Sequence, residues 1–235
     1  MGLAGKIFVT VVLLIGFCAV IGYFIIRYAD LPIKVYLPPL IFANTGNMGL
    51  PLVLFAFGDE GFRVGILYMV STTIVHYTLG IIILSYDKSP FEVFKLPLVY
   101  SAALGLIIPV IGWDLPIILE RTFVLLGEAS IPTMIFTLGY KLSEITLSEF
   151  KRSFAFGGMR IGFGFLLSLI LVKVFNLNGL ASNVFILQSS MPPAIFNFVL
   201  AEKYQQDSKI VASIILAGTL LSIITSPIII GYLMG

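Results

Sequence analysis

Apolar runs of about 18 to 25 residues follow one another along this chain, each long enough to cross a hydrocarbon core of roughly 30 Å. Eight such runs stand at about 7–27, 35–57, 63–85, 96–112, 117–140, 153–174, 180–201 and 209–233. In lipid every backbone N–H and C=O must be satisfied within the protein, which leaves helices or closed barrels. Runs of this length without alternation predict helices. The expected fold is therefore an all-α polytopic membrane protein of about eight transmembrane helices. Composition agrees: 59% of residues are hydrophobic, 11% are charged and mean hydropathy is +1.08.

Two of the runs are interrupted at their centres. One contains Asn44-Thr45-Gly46-Asn47-Met48-Gly49-Leu50-Pro51, the other Gln188-Ser189-Ser190-Met191-Pro192-Pro193 followed by Asn197. A span broken by Gly and Pro survives only where it lines a cavity or is enclosed by protein. Matched breaks in two halves of a chain are the best sequence pointer to a secondary transporter's binding site. The natural divide is the charged loop near 86–95. It leaves residues 1–85 as an incomplete N-terminal repeat of three spans and 96–235 as a C-terminal repeat of five. The broken spans run in opposite directions, as inverted repeats require.

Loop charges set an expected orientation. Lys6, Arg63, Arg121 and Lys173 lie on the side of the N-terminus, while Arg27, Lys34, Lys88, Lys95, Lys141, Lys151, Arg152, Lys203 and Lys209 lie opposite. The positive-inside rule assigns the richer side to the cytoplasm and both termini to the outer face of the cell (inner) membrane. A net charge of +2, with no basic run longer than Lys151-Arg152, gives no nucleic-acid patch. Cys18 is the only cysteine, so no intrachain disulfide forms, and it is expected as a small buried hydrophobe. The first apolar run is too long for a signal peptide and is expected to be retained. Ser89-Pro90-Phe91-Glu92 and Thr146-Leu147-Ser148-Glu149 have the pattern of capping boxes, and Gly58-Asp59-Glu60-Gly61 that of a tight turn.

Asn44-Thr-Gly-Asn47-Met-Gly-Leu-Pro51-Leu, Gly127-Glu128-Ala-Ser-Ile-Pro132 and Met191-Pro192-Pro193-Ala with Phe198-Val-Leu-Ala-Glu-Lys-Tyr204 resemble the auxin efflux carrier family. That family includes the plant PIN proteins and bacterial malate and malonate carriers. The resemblance covers essentially the whole chain. It implies ten spans in two inverted five-span repeats, with crossing helices at the fourth and ninth, and a fold similar to the bile-acid:sodium symporters. By that pattern the first two spans are lacking here. It also implies transport of small organic acids and a homodimer.

The substrate site is expected at the two breaks, where half-helix N-termini offer N–H groups and positive dipole ends to a carboxylate. Asn44, Thr45, Gly46, Asn47, Pro51, Gln188, Ser189, Met191, Pro192, Pro193 and Asn197 form the candidate set, with Asn44, Asn47 and Gln188 as donors. Interhelical packing is the plainer role for the same small and polar residues.

Glu128 lies roughly 13 Å into its span and Arg160 roughly 10 Å into another from the opposite face. A carboxylate at that depth is a functional hypothesis by default. Three readings stand: a structural Glu128–Arg160 pair, ion coupling through Glu128, or Arg160 reaching back to the cytoplasmic surface. His76 is expected as an interhelical hydrogen-bond donor. Gly158 and Gly162 are a candidate packing face. Trp113 and the tyrosines at 23, 28, 36, 100 and 232 are candidate interface anchors.

A secondary carrier for a small organic anion, working by alternating access, fits these features best. The alternative is a truncated, non-transporting membrane protein or sensor of the same fold. An enzyme is not expected, since no nucleophile–base set or metalloprotease motif is present. One His and one Cys exclude a zinc site built from those ligands, and no cofactor is expected.

Overall fold

The computed structural model describes residues 2–84, 100–101, 104–105, 107–108, 112–143 and 149–235. The described residues form eight α-helices and no named strand: α1 (Leu3–Tyr28), α2 (Ile33–Ile41), α3 (Leu50–Leu84), α4 (Ile117–Ser143), α5 (Phe150–Val174), α6 (Gly179–Ser189), α7 (Phe196–Lys203) and α8 (Ser208–Met234). A π-helical turn, Thr45–Gly49, leads into α3. Both expected breaks are present, between α2 and α3 and between α6 and α7. Most of the expected 96–112 run and the whole 86–95 divide lie outside the described residues, as do Ser89–Glu92 and Thr146–Ser148.

Among the described residues four helical stretches are long and apolar enough to cross a membrane: Leu3–Tyr28, Thr45–Leu84, Phe150–Val174 and Ser208–Met234. Side-chain placement has the inside-out character of a protein dissolved in lipid. Phe24, Phe55, Ile118, Phe136 and Ile224 are exposed, whereas Thr10, Ser71, Thr72, His76, Ser153, Arg160, Ser168 and Gln188 are buried. On α1 the buried positions Ile7, Val11, Leu14, Ile15, Cys18, Gly22 and Ile26 repeat at helical spacing and form one face. Gly22 lets α2 close in, because a Cβ there would meet Leu40 Cδ2 at 2.6 Å. These observations make the chain an integral membrane protein.

Local chemistry accounts for the interruptions. Pro38 and Pro39 remove two amide donors from α2, which ends at Ile41 with Phe42 extended (φ −104°, ψ 119°). After the break, Pro51 has no N–H to close an ordinary helical bond onto Asn47, and the π turn stands directly before it. Gly58 adopts φ 64° and ψ −163°, splitting α3 where the Gly58–Gly61 turn was expected.

Three expectations need correction. Glu149 is not the third residue of a helix capped at Thr146: it is left-handed (φ 45°), and α5 begins only at Phe150. Its carboxylate instead accepts from Tyr36 Oη at 2.9 Å and from Arg152 Nη1 at 3.1 Å. Tyr36 is accordingly buried beneath that contact rather than exposed like Trp113, Tyr23, Tyr28, Tyr100 and Tyr232. The close packing on α5 falls at neither Gly158 nor Gly162. Gly157 abuts Gly218 of α8, where a Cβ would lie 2.7 Å from backbone, and Gly164 abuts the carbonyl of Ser189.

Candidate functional site

The two breaks meet. Ala43 and Pro193 form an antiparallel β-bridge, with Asn44 N–H donating to Pro192 O at 2.8 Å and Ala194 N–H to Phe42 O at 2.9 Å. In this kind of pair the bridged residues themselves exchange no hydrogen bond; their neighbours do. Pro193 thus sits where no N–H is needed, and Pro192 serves as an acceptor, which every proline can be. Gly218 on α8 accommodates the Pro193 ring, since a Cβ there would lie 2.5 Å from Pro193 Cδ. The double proline is therefore suited to the crossing as well as to breaking a helix.

Each side of the crossing has its own polarity. On one side α3, through its π turn, and α7 begin, and their N-termini carry partial positive charge. A cleft of about 150 Å³ opens there, lined by Asn44, Thr45, Gly46, Asn47, Ala194 and Phe196 among others. Its remaining wall comes from α3: Met69, Thr72, Thr73, His76 and Tyr77. The sequence reading gave His76 an interhelical hydrogen bond and passed over the others. The signal is a polar stripe at helical spacing (72, 73, 76, 77) inside an apolar span.

His76 is held from three directions. It stacks on Phe42 (centroids 3.8 Å, planes 14° apart), meets Phe196 edge-on at 5.3 Å and shares a 2.9 Å hydrogen bond with Asn197 Oδ1. The amide oxygen accepts, so His76 Nε2–H is the donor. The expected interhelical bond is present, and Asn197 acts as its partner rather than as a cap. Asn44 is 5% exposed, and its Nδ2 has no hydrogen-bond partner among the described residues.

On the other side α2 and α6 end, and carbonyl oxygens crowd together. Arg160 fills this space, 1% exposed. Its Nη1 donates to Leu40 O at 3.3 Å and Ile41 O at 3.1 Å, and its Nη2 donates to Ser189 O. Cys18 Sγ lies 3.8 Å from Nη1, so the buried cysteine is a wall of the guanidinium pocket. This corrects both expectations for Arg160. It neither pairs with Glu128 nor reaches the surface: helix-end carbonyls take up both terminal nitrogens, and only Nε has no partner among the described residues. Glu128 is exposed on α4, beside Leu125 and Val124 on a surface that also holds Glu120 and Arg121.

Of the remaining candidates, Ser189 Oγ is bonded to Tyr68 Oη at 2.9 Å, and Met191 is fully buried with Ala43, Val53, Val184 and Leu187. Pro51 lies in the first turn of α3 and does not line the cleft. Gln188 is fully buried against α3, not in the cleft. Cβ atoms at Gly49 and Gly65 would lie 2.1 and 3.3 Å from its amide, and neither amide atom has a partner among the described residues. Among those residues no group of three or more His, Cys, Asp or Glu side chains is placed to hold a metal ion.

Broken helices that meet inside an apolar helical bundle are the way secondary transporters build their binding sites. The profile of the family described as "Membrane transport protein" matches residues 84–230, and the chain belongs to that family. An uncharacterized transporter of Methanocaldococcus jannaschii is 29% identical over 194 residues, covering 77% of this chain and 62% of the relative. An uncharacterized transporter of Methanothermobacter thermautotrophicus is 28% identical over 193 residues, covering 79% of this chain and 63% of the relative. The chain thus spans under two thirds of the length of these relatives.

Proposed function

We propose that this protein is a secondary carrier for a small organic anion, binding it in the cleft beside the crossing and exposing that cleft alternately to the two sides of the membrane. The observation that carries the reading is the Ala43–Pro193 bridge, which turns the N-terminal ends of two helices toward one cleft. Aligned N–H groups and positive dipole ends suit a carboxylate. Gly46 allows close approach: a Cβ there would meet nothing nearer than Met69 Sδ at 3.6 Å. At about 150 Å³ the cleft falls below the roughly 300–1,000 Å³ of sites for drug-sized ligands. That size favours an acid of a few carbon atoms. A monovalent anion leaving a cell at 100 mV, negative inside, gains about 2.3 kcal/mol, enough to support export without another energy source.

Proteoliposomes loaded with malate should take up radiolabelled malate by counterflow, and malate should raise the unfolding temperature of the purified protein. Asn44→Ala is expected to abolish that rise while leaving the protein folded. A variant stabilised by malate like the wild type would remove Asn44 from the site. Wild-type liposomes that exchange neither malate nor malonate would refute the proposed substrate class.

A further inference from the structure

Arg160 is a fully buried cation whose two terminal nitrogens are met by carbonyl oxygens of two helix ends, and by no carboxylate among the described residues. The last carbonyls of a helix have no partner within it, and each C-terminus carries the equivalent of roughly −0.5 charge. α2 and α6 both end inside the bundle, so their two C-termini present about −1 at one place. A guanidinium carries +1 and offers five N–H donors. The balance accounts for a buried arginine with no acidic partner among the described residues. In carriers built from broken helices, half-helix C-termini and unwound carbonyls are where a coupling cation is coordinated.

We propose that the carbonyl cage formed by Leu40, Ile41 and Ser189 is a cation site in which Arg160 is the permanent, covalently tethered occupant. Exchange of the anion therefore requires no sodium ion; this second statement rests on the transport reading above, whereas the cage itself does not. Gly164 belongs to the device. It lies one helical turn beyond Arg160, and a Cβ at this position would lie 1.8 Å from the Ser189 oxygen that the guanidinium binds.

Removing the side chain tests the cage. Arg160→Ala leaves a guanidinium-sized space lined by carbonyls, and methylguanidinium is the probe to refill it. The purified variant is expected to unfold at a lower temperature than the wild type. Methylguanidinium at about ten times its Kd should raise that temperature by roughly 3–6 °C, saturably, while leaving the wild type unmoved. A variant as stable as the wild type, or one that responds to methylguanidinium no more than the wild type does, overturns the cage.

If Arg160→Ala cannot be purified folded, Arg160→Lys and Arg160→Met replace it. The charge-retaining variant should be the more stable, and equal stability overturns the proposal. For the coupling statement, wild-type malate counterflow should run at the same rate in choline as in sodium medium, and a strict sodium requirement refutes it. Because the cage is read out by unfolding temperature, failure of malate exchange would count against the transport reading alone.

Discussion

Replacing Gly164 with alanine sets two effects of opposite sign against each other, and the structure decides between them. In an exposed helix interior, Gly→Ala stabilises by about 1 kcal/mol. At Gly164 the added methyl would stand 1.8 Å from Ser189 O and 2.8 Å from Ser189 C, so backbone has to move by more than 1 Å. Overpacking of that kind costs typically about 1–3 kcal/mol. Displacing Ser189 also weakens its hydrogen bond from Arg160, and bonds to a charged group contribute about 1.5–3 kcal/mol. The expected balance is a destabilisation of about 1.5–5 kcal/mol, against a gain of up to about 1 kcal/mol for Gly162→Ala. Gly162 is on the same helix, and nothing lies within 4 Å of its virtual Cβ, so it is the internal control. Unfolding of both variants in one detergent gives the comparison. A Gly164→Ala protein as stable as Gly162→Ala would show that the helix end at Ser189 does not lie against α5 as described.

Gln188→Met should stabilise the protein by about 1–2 kcal/mol, because a buried amide with no partner among the described residues carries a penalty of about 1–3 kcal/mol that an apolar side chain of similar shape lacks. A clear loss of stability in the same unfolding assay would mean the amide has a partner in the membrane-embedded protein. Glu149 links acidity to folding: hydrogen bonds from Tyr36 and Arg152 hold its carboxyl below the ordinary glutamate range. Its contribution is present above the unfolded pKa of about 4.3 and is lost as pH falls through the lower folded value. The stability difference between wild type and Glu149→Gln should therefore narrow below about pH 4, and a difference constant from pH 6 to pH 3 would refute the linkage.

How much of this was legible in the sequence differs from residue to residue. Gly and Pro report backbone constraints directly, so both breaks could be located, as could the kink at Gly58. Polar residues in apolar spans could be flagged, but their partners could not be chosen. Depth along a helix is simple arithmetic, and it places Glu128 and Arg160 within reach of each other in height. It says nothing about rotation around the helix axis or about which helices are neighbours. The actual partners of Arg160 are backbone carbonyls, and every residue type carries one, so no side-chain pattern announces them. Gln188 was placed with the donors because it precedes a break. The π turn at Gly49 and the helix face at Gly65 took its side chain instead, through packing across elements that periodicity does not encode. The cleft wall on α3 was missed for a different reason: Thr72, Thr73 and His76 sit in an unbroken apolar span, where polar side chains read as interhelical packing rather than as the lining of a cleft.

The Ala43–Pro193 bridge also constrains how the protein is made. Its two partners are about 150 residues apart. At roughly 5–20 residues per second, the first break is synthesised some 8–30 s before the second exists. Throughout that interval the amide of Asn44 and the carbonyl of Phe42 lack the hydrogen bonds that the bridge provides, in a segment that lipid alone cannot solvate. Water or the insertion machinery has to shelter the nascent break until residue 194 arrives. The crossing is then a late event of assembly, and a chain stopped before Ala194 carries an unsatisfied segment for membrane quality control to recognise.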